Sequence, residues 1–184
     1  MLKPVAAGTW NVENAAKAQQ TGEEIRQALQ AQDLPKALKL IDAAIQADPT
    51  LEKEYGGIKL KIMLVQKQTP AAVEYATSLS KGVLKDDAQA LNEIAWSLVD
   101  PEGGLKLTRD QLDAVEKIAA RAVELTKGED AAILDTLARV YASKGDVAKA
   151  IEIQSKAVEK AGDPRMKAQL QRTLEQYRTE AKGV

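Results

Sequence analysis

"ARVYASKGDVAKAIEIQSKAV", residues 138–158, interrupts an Ala-rich helical pattern once, at Lys144-Gly145-Asp146, and then resumes it in a matching rhythm. A glycine followed by a capping aspartate between two apolar-periodic stretches predicts a helical hairpin. Superposing the chain on itself shows that the hairpin recurs. Four second helices align: "LPKALKLIDAAIQADP" from Leu34, "TPAAVEYATSLSKGV" from Thr69, "QLDAVEKIAARAVEL" from Gln111 and "DVAKAIEIQSKAVEKA" from Asp146. Each carries two small or apolar anchors seven residues apart: Ala37 and Ala44, Ala72 and Leu79, Val115 and Ala122, Ala150 and Ala157. The first anchors are separated by 35, 43 and 35 residues, so the period is 35 with one insertion.

The insertion is "VDPEGGLKLTRDQ", where Pro101, Gly103 and Gly104 break a helix ending near Val99 and Thr108 restarts one, with Gln111 completing a capping box. Asp33 before Pro35, Thr69 before Pro70 and Asp146 mark the other second-helix starts. First helices are expected over 12–32, 51–67, 87–99 and 130–144. A ninth helix opens at Asp163-Pro164, with Met166, Leu170, Leu174 and Tyr177 on one face, a pattern suited to capping the end of a stack. The expected organisation is a linker-like segment over 1–11, four hairpins over 12–163, and a capping helix and tail over 164–184.

A helix-turn-helix unit of this period resembles the tetratricopeptide repeat. Leu134, Leu137, Ala138 and Tyr141, the Gly145-Asp146 turn, then Ala150 and Ala157 follow that family's order of large, small, aromatic and turn residues. The second repeat is degenerate around Gly56-Gly57, and the aromatic usual in second helices is replaced by Ile41, Ala76, Ala119 and Gln154. The resemblance implies an all-α superhelix of about four αα-hairpins plus a C-terminal capping helix. Other αα-solenoids and a compact bundle stay open.

Composition narrows function. The 184 residues contain no Cys and no His, which removes a thiol nucleophile, an imidazole base and Cys or His zinc ligands. With 26 basic and 27 acidic residues interspersed, no clustered basic face marks a nucleic-acid or membrane-surface binder. No apolar run reaches the roughly 18 residues of a membrane span, and "MLKPVAAGTW" lacks the apolar core of a signal peptide. We therefore expect a non-catalytic chain without cofactor or metal, whose partner is a protein or peptide; self-association through a terminal face is left open. Asp86-Asp87 and Glu129-Asp130 read as helix-start carboxylates rather than metal or acid pairs. Tyr141 reads as core.

The repeat places Arg26, Lys61, Asn92, Trp96 and Arg139 on or near the first-helix, concave face. There, cations around an amide could hold a partner's carboxylate while Trp96 supplies an apolar anchor. The competing interpretation is solvated charge around a seam-filling tryptophan. Resemblance to peptide-clamping members of the family implies a backbone contact for Asn92.

The segment "LKPVAAGTWNVENAAKA" falls outside the repeat. Its Val5, Gly8, Trp10 and Asn11, together with "LNEIAWSLVDP" and the stretch from Arg121 to Val158, resemble the region following the thioredoxin fold in bacterial exported redoxin-domain proteins. This implies a C-terminal accessory module of a thioredoxin-like disulfide oxidoreductase, with Met1 not the native start, and a periplasmic or exported parent. The alternative is a free-standing cytoplasmic adaptor in which Trp10 packs back on the first hairpin.

Overall fold

The computed structural model describes residues 12–183, with side chains from residue 19 onward. The expected linker over 1–11, including Val5, Gly8, Trp10 and Asn11, lies outside the described residues. Among the described residues the regular structure is nine α-helices and two short 3₁₀ turns, with no strand. The helices are α1 (Val12–Gln30), α2 (Leu34–Ala47), α3 (Glu52–Val65), α4 (Thr69–Lys81), α5 (Ala88–Val99), α6 (Arg109–Leu125), α7 (Ala131–Ser143), α8 (Val147–Lys160) and α9 (Pro164–Lys182). No described helix is long and apolar enough to cross a membrane.

All eight repeat anchors are buried, none more than 6% exposed, so the superposition that defined the repeat also defines the packed face of every second helix. Three hairpin turns share one geometry. Gln32, Lys67 and Gly145 each lie five residues before the first anchor of their hairpin, and all three adopt a left-handed φ, of 56°, 60° and 79°. In each, the next residue's N–H returns to the carbonyl five residues back: Asp33 to Ala28, Gln68 to Met63 and Asp146 to Tyr141, at 2.9–3.0 Å. This bond absorbs a helix-end carbonyl that would otherwise lack a partner. Glycine adopts the left-handed region without steric cost, so only the third turn was visible in composition.

The N-caps follow from short acceptor side chains. Asp33, Asp87, Asp146 and Asp163 accept from backbone N–H groups of the following first turns, and Asp130 accepts from two, those of Ala132 and Ile133. Thr108 and Gln111 complete the expected capping box. At α4 the start differs. The cap is Gln68, without a side-chain cap bond, and Thr69 is already helical, because the left-handed Lys67 closes the preceding turn one residue earlier.

The chain divides into two compact units, one ending at Tyr55 and the other beginning at Gly56. In the first, α1 packs on α2 through Ile25, Ala28, Ala37, Ile41 and Ala44. In the second, a continuous apolar core runs from Leu60 through α4, α5, α6 and α7 to Tyr177 of α9. A smaller cluster of Ala131, Leu134, Ala157, Ala161 and Leu170 joins α7, α8 and α9. In α9, Leu170, Leu174 and Tyr177 are buried as the periodicity requires, but Met166 is 40% exposed because it sits in the first turn, at the end of the packed stripe.

Candidate partner-binding site

Within the second unit, α5 and α7 pack against each other directly, and their shared direction is fixed at both ends. At the start, the Gln89 amide donates to Asp130, the cap of α7, at 3.0 Å. At the other end, Val99 and Ser143 both border one cavity. Helical spacing places Asn92 and Trp96 in one row of α5, and Asp135, Arg139 and Ser143 in one row of α7. Asn92, Trp96, Asp135 and Arg139 are half-buried, while the apolar residues flanking them are fully buried.

Both rows run into the insertion. After α5 the chain makes a 3₁₀ turn over Pro101–Gly103, capped by Asp100, and Gly104 turns at φ 61°. The following Leu105-Lys106-Leu107 closes over the ends of α5 and α7. The result is a half-open cavity of about 370 Å³, with Leu98, Val99, Leu107 and Leu112 as apolar wall and Arg139 and Ser143 contributed by α7.

Arg139 also meets a residue that does not border this space. Its guanidinium carbon lies 5.4 Å from the ring centroid of Tyr177, itself only 2% exposed. Among the described residues Arg139 makes no ion pair, and its buried Nε has no hydrogen-bond partner; the same is true of the buried Asn92 Oδ1. Other cations that bridge helices are matched: Lys144 to Asp113 at 2.5 Å and to Glu116, Arg121 to Asp86 at 3.0 Å, and Lys160 to Glu129 at 2.7 Å. Asp86 and Glu129 thus tie the connections ahead of α5 and α7 to the second helices α6 and α8, while their neighbours Asp87 and Asp130 do the capping.

A buried polar junction begins one turn before Arg139 on α7. Gln154, fully buried where the repeat usually carries an aromatic, donates to Asp135 at 2.7 Å and to the Leu170 carbonyl at 3.2 Å, joining α7, α8 and α9. Burial raises the Asp135 carboxyl above its ordinary value, against the Gln154 hydrogen bond and the Arg139 charge, which pull it down. The sequence signal for this junction was Gln154 itself, a polar residue where second helices of this repeat usually carry an aromatic.

The five residues singled out from sequence fall in both units. Arg26 belongs to the first unit and pairs with Glu23 of its own helix at 2.7 Å. Lys61 is exposed on α3. Asn92, Trp96 and Arg139 lie on the paired helices α5 and α7, and of these three only Arg139 borders the cavity. Leu98, Leu107, Leu112 and Ser143 were not anticipated as part of a site, since nothing in their spacing ties the insertion to α7. Among the described residues no group of three His, Cys, Asp or Glu side chains could hold a metal ion.

No protein-family model matches this chain, and no curated protein matches it. Among solved structures it is similar to the crystal structure of MamA protein, with a TM-score of 0.60 and 19% identity over 89% of each chain. MamA is a tetratricopeptide-like helical repeat protein, and the fold of the present chain is all-α and of that tetratricopeptide-like αα-hairpin class.

Proposed function

We propose that this chain is a non-catalytic protein-interaction domain presenting the α5 and α7 rows to a peptide segment of a partner. One observation carries the reading: Asn92 Oδ1 and Arg139 Nε are buried without hydrogen-bond partners on neighbouring first helices, while the helix-bridging cations elsewhere are paired. Leaving such an atom unsatisfied costs about 1–3 kcal/mol, and a bound peptide that draws either half-buried side chain outward, carrying both donors and acceptors, would recover it. Trp96, one turn from Asn92, supplies the aromatic surface typical of interface anchors. The expected result is that Trp96→Ala combined with Arg139→Glu abolishes capture of partners from source-cell extract, read by crosslinking and mass spectrometry, while helical circular dichroism stays unchanged. Undiminished capture by the folded double variant would reject this face.

We further propose that the partner-binding module serves a thioredoxin-like disulfide oxidoreductase, docking it to a client, a membrane partner or another copy of itself. The support is the resemblance of residues 2–18, 91–101 and 121–158 to the region following a thioredoxin fold. A chain without cysteine leaves all redox chemistry to a separate domain of such a parent. An antibody raised against this 19.9 kDa chain should then detect, in the exported fraction of source cells, a protein of about twice that mass, as one added domain of ordinary size requires. A cytoplasmic band at the mass of the chain alone would favour the free-standing adaptor.

A further inference from the structure

We infer that the cavity roofed by the insertion is a socket for a large apolar side chain with a carboxylate-bearing residue next to it, an inference that rests on the interaction-domain reading above and specifies what the partner must carry. The cavity is absent from the repeat pattern as such; it exists because the insertion folds Leu107 back over Leu98, Val99 and Leu112. At about 370 Å³ it lies at the small end of ligand pockets, the size of one bulky side chain with its neighbouring polar group. The lining is mixed: Leu105, Leu107 and the edges of Leu98, Val99 and Leu112 give a leucine-sized occupant an apolar surface to cover, while the mouth and the polar lining stay open to water, and that apolar contact supplies the first half of the specificity.

The second half comes from charge. Arg139 enters the wall from α7 without an ion pair among the described residues, and Lys106, exposed on the insertion, also has none. Asp100, the acid on this wall, already accepts the Glu102 N–H at 2.9 Å within its own 3₁₀ turn. Asp135, one turn before Arg139 on α7, is engaged by Gln154. The guanidinium also lies over the ring of Tyr177, which does not border the cavity, and a planar carboxylate is the group that matches the guanidinium fork bidentately. An amide of the same shape offers one acceptor without charge and leaves its own N–H₂ facing a cation.

The test titrates the ¹⁵N-labelled full chain with N-acetyl-Leu-Glu-amide and its isostere N-acetyl-Leu-Gln-amide, followed by amide and Arg Nε resonances. The expected result is saturable shifts confined to residues 98–112, Ser143 and the Arg139 Nε–H, with the Gln isostere weaker by about tenfold or more. Arg139→Gln should erase that preference. Equal affinity for the two peptides, shifts outside the cavity, or a Glu preference that survives in Arg139→Gln would overturn the inference. Should Arg139→Gln fail to fold, the wild-type Arg139 Nε–H decides alone: a resonance unmoved by the Glu peptide overturns the proposal. Absence of dipeptide binding while partner capture still depends on Trp96 would sink the socket and leave the interaction-domain reading standing.

Discussion

Tyr177→Ala destabilises the protein by about 3–5 kcal/mol, whereas Tyr177→Phe changes stability by less than about 1 kcal/mol, in the direction of a gain. The tyrosine is 2% exposed and lies on the same stripe of α9 as Leu170 and Leu174, the residues through which the last helix covers the stack. Truncation to alanine opens a void in the core that reaches back to α7 and removes the ring on which Arg139 rests. Phenylalanine keeps the ring, the packing and the contact with the guanidinium. It deletes only a hydroxyl that is buried without a hydrogen-bond partner, a group whose desolvation nothing repays. The hydroxyl also sets a pH signature. Burial pushes the Tyr177 pKa up from 10.0 to about 12, outweighing the pull of Arg139 in the other direction. A folded-state value above the unfolded one means that the folded chain holds this proton more tightly; its contribution is intact below pH 10 and is lost as pH rises through about 12. Urea melts at pH 7 should separate the two variants, and the stability gap between wild type and Tyr177→Phe should move in favour of phenylalanine between pH 10 and 12. A phenylalanine variant as unstable as the alanine one would show that the hydroxyl is bonded; an alanine variant within 1 kcal/mol of wild type would show that α9 is not part of the cooperative core.

The repeat was legible because its anchors obey a helical period within each segment and a fixed period between segments, and both constraints act on small, apolar residues that must be buried together. Asp33, Asp87, Thr108, Asp146 and Asp163 were legible as starts for a local reason: a short acceptor one residue before a helix has its donors supplied by the helix itself. The remainder depended on what lies opposite. Gln32 and Lys67 turn the chain in a left-handed conformation without any glycine to announce it, imposed by the hairpin geometry they share with Gly145. Arg26 and Arg139 read alike as first-helix cations, yet one is neutralised by Glu23 three residues away on its own helix and the other stands over a ring 38 residues further along the chain. The insertion was visible as Pro and Gly, but the side to which it folds is decided by Leu107 meeting Leu98 and Leu112, a contact that no local pattern encodes. Candidate binding residues are therefore the hardest part to read: their availability is a property of neighbours distant in sequence.

The Gly56-Gly57 pair, which made the second repeat look degenerate, yields the other large effect. Gly56→Ala should destabilise the protein by up to about 2 kcal/mol, while Gly57→Ala should stabilise it by about 0.5–1 kcal/mol. Both glycines lie inside α3, and neither has a left-handed φ, so alanine brings the same gain in helix propensity, about 1 kcal/mol, at each. What differs is the space in front of the new methyl group. A Cβ on Gly56 would lie 2.8 Å and 3.2 Å from the two terminal carbons of Leu79 and 3.3 Å from the Tyr75 hydroxyl; a Cβ on Gly57 meets nothing within 4 Å. Leu79 cannot swing clear, because it is 1% exposed and forms the second anchor of α4 within the continuous core. Accommodating the methyl therefore means shifting α3 from α4 or forcing Leu79 off its rotamer, at a cost of about 1–3 kcal/mol that exceeds the propensity gain. Thermal and urea unfolding of the two single variants reads the contrast directly, since wild type serves as reference for both and the unfolded chains differ little. Opposite signs at adjacent positions identify Gly56 as the close-approach point of α3 and α4. Two stabilised variants would mean that the helices stand further apart than this packing requires, and that the second repeat is held by Leu60 and Met63 instead.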